Sequence, residues 1–334
     1  MRFALMIEPQ MGLTYDEQLE IALRAEGAGF ETLFRSDHYE SFPGDAGGHT
    51  TDAWTVVAGL ARDTTRIGLG VLVSPVTFRT PGNLAKVVVT ADELSGGRVE
   101  VGLGAGWHED EHRRHGFPFP EIGERAEMLE ETLEIVHGLW DEPDGWSFTG
   151  RHHAVEDALF RPKPGSLPGR DGRHPNILVG GQGTARSFRI AARYADEFNL
   201  SSTSPDGAAV KYAQLDDACR AAGRDPSTLV HSVMAGVLIG RDGDELKRRE
   251  RDLMAAFGGA DDESEAWFAT RRPRWVLGTP DQAREVVLLP GDKDSRPVAE
   301  AAGLAARDSG HRVAVIPTRS IVQSLAAVAV LFSV

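Results

Sequence analysis

The hydrophobic pattern along this chain alternates between two periods. Short apolar runs at residues 2–8, 30–34, 66–73, 98–103, 176–179, 197–200 and 229–239 read as strands, several of them ending on a polar or glycine-rich cluster. Between them, apolar residues recur at three- and four-residue spacing, the period of a helix buried on one face. Residues 15–28, 53–63, 81–94, 121–140, 187–194, 206–222 and 242–257 are the predicted helices. In the fourth, Met128, Leu129, Leu133, Val136 and Trp140 mark one stripe. Gly27 and Gly29 stop the first helix, Gly96 and Gly97 stop the third, and Thr51 and Asp52 are placed to cap the second. Segment 141–174 breaks the alternation with four prolines and reads as an irregular insertion with room for a hairpin.

Strands alternating with helices about every 30 residues imply a parallel sheet. Seven such units precede residue 260, and an eighth would close an α/β (β/α)8 TIM barrel. A doubly wound sheet is the competitor, but its dinucleotide fingerprint normally follows the first strand. Residues 6–13 hold one glycine, and the nearest match, Gly102, Gly104 and Gly106, has the wrong spacing and follows the fourth strand. The barrel is the expected fold.

Residues 1–285 read as the barrel domain and 286–334 as an atypical tail. In the tail, 296–309 is alanine-rich and helical, 312–316 is a buried-strand pattern, and 320–331 is helical again. The expectation is that residues 313–316 supply the eighth strand, with 286–289 as the alternative.

Composition narrows the function. The chain has 334 residues, and its net charge of −14 argues against nucleic acid or an anionic membrane as partner. An anionic ligand would need a local site. The single cysteine, Cys219, excludes an intramolecular disulfide and reads as core filler on a helix face. No stretch approaches the roughly 20 apolar residues of a membrane span, and the first residues lack a secretory h-region, so a cytoplasmic protein is expected.

In a barrel, chemistry gathers where the strands end at their C-termini. Those ends carry Glu8; Asp37 and His38; Ser74 and Thr77; Gly104, Gly106, Trp107 and Glu109; Gly180, Gly181, Gln182, Gly183 and Thr184; and Asn199, Ser201 and Ser202. The fifth set lies between a strand and a helix start, where backbone amides and the helix dipole favour an anion. Asp37 and His38 offer acid–base capacity, and imidazole titrates near neutral pH. His108, Glu109 and His112 fit H-E-x-x-H, which on a helix would make a zinc metallohydrolase. Gly116 and Pro118 limit that helix to barely two turns, so a solvated turn is the competing reading. A barrel that binds a ligand without turnover is a third class.

Several of these segments together resemble the bacterial luciferase-like family, and within it the branch using the deazaflavin coenzyme F420. The matching pieces are Ser36 to His38, Leu72 to Pro81, Val101 to Trp107, His115 to Pro120, Gly180 to Thr184 with Ala192 to Asp196, and Val276 to Pro280. The resemblance covers residues 1 to about 285. It implies hydride transfer between F420 and a small organic substrate, with FMN-dependent monooxygenation as the alternative. His38 would handle the proton, with Glu109 as second candidate. Asp37 would lie beside the ring's reactive edge, with Gly104, Gly106 and Trp107 facing it. Gly180, Gly181, Gln182, Gly183 and Thr184 would hold the coenzyme phosphate. Ser74 and Pro75 would fall at a bulge, often with a cis peptide, that supports the ring, and Ser74 and Thr77 would help bind the cofactor. Family members often form homodimers, although no residue here marks an interface. Segments 141–174 and 258–274 are the expected pocket lid. The tail resembles the C-terminal part of the dihydroxyacetone-kinase-like phosphatase family.

Overall fold

The computed structural model describes residues 2–42, 45–257, 261–282 and 327–333. Strands β1 (Arg2–Ile7), β2 (Thr32–Arg35), β3 (Gly68–Pro75) and β4 (Val99–Gly104) come first. A hairpin follows, β5 (Trp146–Thr149) and β6 (Ala154–Ala158). Then come β7 (Asn176–Gly181), β8 (Glu197–Leu200), β9 (Val230–Ala235), β10 (Val237–Ile239), β11 (Val276–Gly278) and β12 (Ala327–Ser333). The helices are α1 (Tyr15–Ala28), α2 (Ala53–Asp63), α3 (Pro81–Ser95), α4 (Glu109–His115) and α5 (Ile122–Asp141). After these run α6 (Ala185–Tyr194), α7 (Pro205–Ala221), α8 (Gly243–Phe257) and α9 (Asp261–Ala269).

The sheet closes as β1-β12-β9-β8-β7-β4-β3-β2. Side chains alternating between lumen and outer layer let it do so, with an interruption on β3, where the register shifts. On β1, Ala4 and Met6 point into the barrel with Phe34, Leu72 and Leu178, whereas Leu5 and Ile7 point out to the helix layer. That outer layer, not the barrel lumen, holds most of the core, and the buried Cys219 belongs to it. The helix starts are fixed by side chains: Asp52 accepts from the Thr55 amide at 2.8 Å, and Thr14 forms a capping box with Glu17.

Seven barrel strands are parallel, as the pattern predicted. The eighth place is filled from the tail, but by β12, which pairs antiparallel with both β1 and β9. Residues 327–331 were expected at the end of a helix. Valines at 328 and 330 alternate with small residues, and β-branched residues favour the pleat once two open edges offer partners. The expected closures at 313–316 and 286–289, and the helix at 296–309, lie outside the described residues. A chain ending at residue 326 is expected to expose the edges of β1 and β9 and to aggregate on size exclusion. A monodisperse, folded product would contradict closure by β12.

A second correction concerns residues 229–239, read as one strand. The chain leaves the barrel at Gly236, where the Trp275 ring occupies the space a Cβ would need, and β10 pairs instead with β11.

Candidate active site

The strand ends converge on a cavity of about 940 Å³. His38, at the end of β2, lines it. Its Nδ1 lies 2.9 Å from Oε2 of Glu111, a carboxylate with no exposed surface. Glu111 also accepts the backbone amides of Tyr39 and Glu40. Burial on its own raises this carboxyl, but the His38 hydrogen bond and charge, with the two amides, outweigh it and hold Glu111 below its ordinary value. The pair therefore fixes the imidazole: Nδ1–H donates to the carboxylate, and Nε2 is left to exchange a proton. Phe42 packs edge-on at 4.6 Å and Trp107 at 5.8 Å between ring centres, so the imidazole sits in an aromatic collar.

Glu111 was not among the expected site residues. Glu109, which was, lies exposed on the first turn of α4 and does not line the cavity. The two differ by half a helical turn, so only one of them can face inward. The H-E-x-x-H reading fails for a related reason. His112 is buried with both ring nitrogens engaged, Nε2 with Thr77 Oγ1 at 2.7 Å and Nδ1 with the His108 carbonyl at 2.7 Å. His108 caps α4. The run is not a wholly solvated turn either, since Glu111 and His112 are core groups.

Asp37 lines the cavity, yet its carboxylate is an ion-paired group and not a free base. Oδ2 accepts Ser74 Oγ at 2.8 Å and Arg79 Nη1 at 2.5 Å. Arg79 also binds Asp52 and donates to the Tyr39 hydroxyl at 2.8 Å. Burial raises the Asp52 carboxyl, but Tyr39, Thr55 and Arg79 together hold it at about 2. Ser74 is corrected by the same network, and Thr77 by its bond to His112. Ser74 accepts the Trp54 indole at 2.9 Å and donates to Asp37, Thr77 binds His112, and neither lines the cavity. They brace the wall from behind.

The expected bulge is present, as a register shift between Val71 and Ser74. The cis peptide lies at Leu72–Val73, not at Ser74–Pro75. Val73 then fits between two glycines. A Cβ on Gly104 would lie 2.6 Å from Val73 Cγ2, and one on Gly180 would lie 2.7 Å from Val73 Cγ1. Both glycines admit that side chain, and the three residues together floor the cavity. Gly180→Ala is therefore expected to displace Val73 and weaken cofactor binding at least tenfold, read by fluorescence titration; unchanged affinity would dismiss the floor. Gly106 and Trp107 line the cavity, Trp107 largely exposed at its mouth.

Gly181, Gln182 and Thr184 line the opposite side, at the N-terminus of α6. Thr184 and Ser187 cap each other reciprocally. The amides of Ala185 and Arg186 at the first two helical positions have no intrahelical acceptor, as in any helix. Arg186 also lines the cavity, its guanidinium donating to the Gly123 carbonyl at 2.9 Å. Gly183 does not; it makes the turn at φ +71°, with its carbonyl held by Lys211 Nζ at 2.6 Å. The floor and this end fit a planar ring system with an anionic tail.

The lid is half of what was expected. Trp267 and Arg271, from segment 258–274, line the cavity, whereas no residue of 141–174 does. That insertion is held against α5, with the Trp146 ring lying where Gly138 would carry a Cβ.

Comparison with known proteins agrees with the fold. An uncharacterized protein of Mycobacterium tuberculosis is 33% identical over 217 residues, 60% of this chain and 73% of its own length. Pyrimidine monooxygenase RutA of Stutzerimonas stutzeri is 30% identical over 267 residues, 78% of this chain and 70% of its own. Among solved structures, an F420-dependent secondary alcohol dehydrogenase superposes with a TM-score of 0.71 at 19% identity, covering 86% of this chain and 89% of that one. A riboflavin lyase gives 0.70 at 17% identity, covering 97% and 95%. No helix among the described residues is long and apolar enough to cross a membrane. The model of the luciferase-like monooxygenase family matches residues 1–313, further into the tail than the motifs reach, and the chain belongs to that family.

Proposed function

We propose that this protein is an oxidoreductase that transfers a hydride between coenzyme F420 and a small organic substrate, with His38 handling the proton. The observation that carries this reading is the buried Glu111 clamped to His38 on the cavity wall. When bound, the deazaflavin supplies two-electron hydride chemistry. The chain's own part is positioning and proton transfer. Gly181, Gln182 and Thr184, with the free amides that open α6, hold the phosphate end. Gly104, Gly180 and Val73 support the ring. His38 Nε2 takes a proton from a substrate hydroxyl or returns one to a carbonyl, while Glu111 stabilises the imidazolium that forms. Phe42 and Trp107 flank the substrate and limit water at the imidazole.

A second reading is FMN-dependent oxygenation, favoured by the 30% identity to a pyrimidine monooxygenase and to an FMNH2-dependent dimethylsulfone monooxygenase of Pseudomonas putida. The two separate in one assay. Hydride transfer predicts that small secondary alcohols bleach oxidised F420 without oxygen. Oxygenation predicts substrate-stimulated oxygen uptake with reduced FMN. Turnover in neither format across a broad substrate panel would refute both.

A further inference from the structure

At the opposite end of the barrel, two histidines and an aspartate converge without any part in the chemistry above. His137 and Asp141 lie one turn apart near the C-terminus of α5, and His174 lies two residues before β7. One ligand atom from each of the three lies within 4.8 Å of the others. Proximity alone would mean little, since histidine–aspartate contacts are common on surfaces. The hydrogen bonds around the rings carry the argument. His137 Nε2 lies 2.9 Å from the Tyr194 carbonyl, which can only accept, so this nitrogen donates there and Nδ1 is the ring atom left for another partner. His174 Nδ1 lies 2.8 Å from the Pro175 carbonyl, which by the same reasoning leaves Nε2. These two remaining nitrogens are the ones facing Asp141, where a cation would take the place of a shared proton: His137 Nδ1 lies 3.3 Å and His174 Nε2 4.0 Å from Oδ2.

We propose that His137, Asp141 and His174 form a divalent-cation site suited to zinc, a structural clip that no part of the catalytic reading requires. Backbone carbonyls that hold the far nitrogen of each ligating imidazole are the usual outer support of a zinc site. Tetrahedral ligands at about 2.0 Å from zinc stand about 3.3 Å from one another, so the first pair is already spaced for a shared ion. The second needs a closure of less than an ångström, within reach of a side-chain rotation. Asp141 is half exposed, and water completes the coordination. The clip ties the end of α5 to the segment entering β7 and, through the Tyr194 carbonyl, to the end of α6. In a barrel this end is the one associated with stability, not catalysis.

The test uses the full chain, stripped with chelator and dialysed. Zinc sulfate titrated by calorimetry is expected to bind at one equivalent per chain, and cobalt chloride to give a visible d–d spectrum of low-symmetry nitrogen and oxygen coordination. Asp141→Asn and His174→Ala, each checked for a wild-type melting profile in chelator, are expected to weaken zinc at least tenfold. Absence of stoichiometric binding by the wild-type chain overturns the proposal. So does binding that both variants retain, because the metal would then sit elsewhere, for example at His152 or His108.

Discussion

His38→Ala is expected to lower kcat by about 10²–10⁴-fold, the usual contribution of a positioned acid–base group, while cofactor affinity changes only slightly. The asymmetry follows from the site. His38 lines the cavity, but the floor of Gly104, Gly180 and Val73 and the loop at Gly181 to Thr184 are built from other strands. Glu111→Gln should have a smaller effect with a distinct signature. It removes a charge-assisted hydrogen bond worth about 1.5–3 kcal/mol, hence roughly 10–100-fold in rate, and changes the pH profile of the rate. A merely structural Glu111 would slow the enzyme without moving that profile. Stability supplies an independent check. The Glu111 carboxyl is held below its ordinary 4.5 in the folded protein, so it contributes stability above that pH. That contribution is lost as pH falls through the lower folded value. Acid unfolding of Glu111→Gln should therefore be shallower below pH 4.5 than that of wild type, although the variant starts from a lower stability at neutral pH.

Arg79→Ala is expected to cost about 3–5 kcal/mol in urea unfolding, the range for leaving a buried charge without its partner. Arg79 is the only guanidinium bonded to both Asp37 and Asp52 among the described residues, and Asp37 is almost fully buried. Arg35 lies nearby and is equally buried, which lowers its guanidinium to about 10. It cannot substitute, because its donors are committed to Gln18, Thr51 and the Ser36 carbonyl. The loss should spread to the site, since Asp37 also holds Ser74, which in turn anchors Trp54 beside the bulge. A cost below about 1 kcal/mol would mean that the pair is screened, as exposed pairs are, and that the network is not load-sharing.

The barrel was readable because seven strands and their helices each carry their own period and their own caps, so local pattern and global fold agree. β12 was not, because its strand character appears only when β1 and β9 present open edges; alone, an alanine- and valine-rich run suits a helix equally well. Gly236 carried a clue, a glycine inside an apolar run, but its cause, Trp275, lies far along the chain. In the site, strand-end residues were legible by position and side-chain engagement was not. Sequence places Ser74 and Thr77 at the right strand end, and only the fold reveals that their hydroxyls face Asp37 and His112 rather than the cavity. Glu109 and Glu111 are two residues apart in a short charged run, and the direction in which α4 leaves β4 decides which meets His38. Arg79 stood within a motif already singled out; a lone arginine among apolar residues at a strand end was the signal.

The most direct measurement of the central claim is fluorescence titration of the purified chain with F420 and with FMN, alongside Gly180→Ala. Saturable binding of F420 at one equivalent, weakened by the alanine and tighter than FMN, is the predicted result. Binding of neither cofactor, or binding indifferent to a methyl group at residue 180, would contradict it.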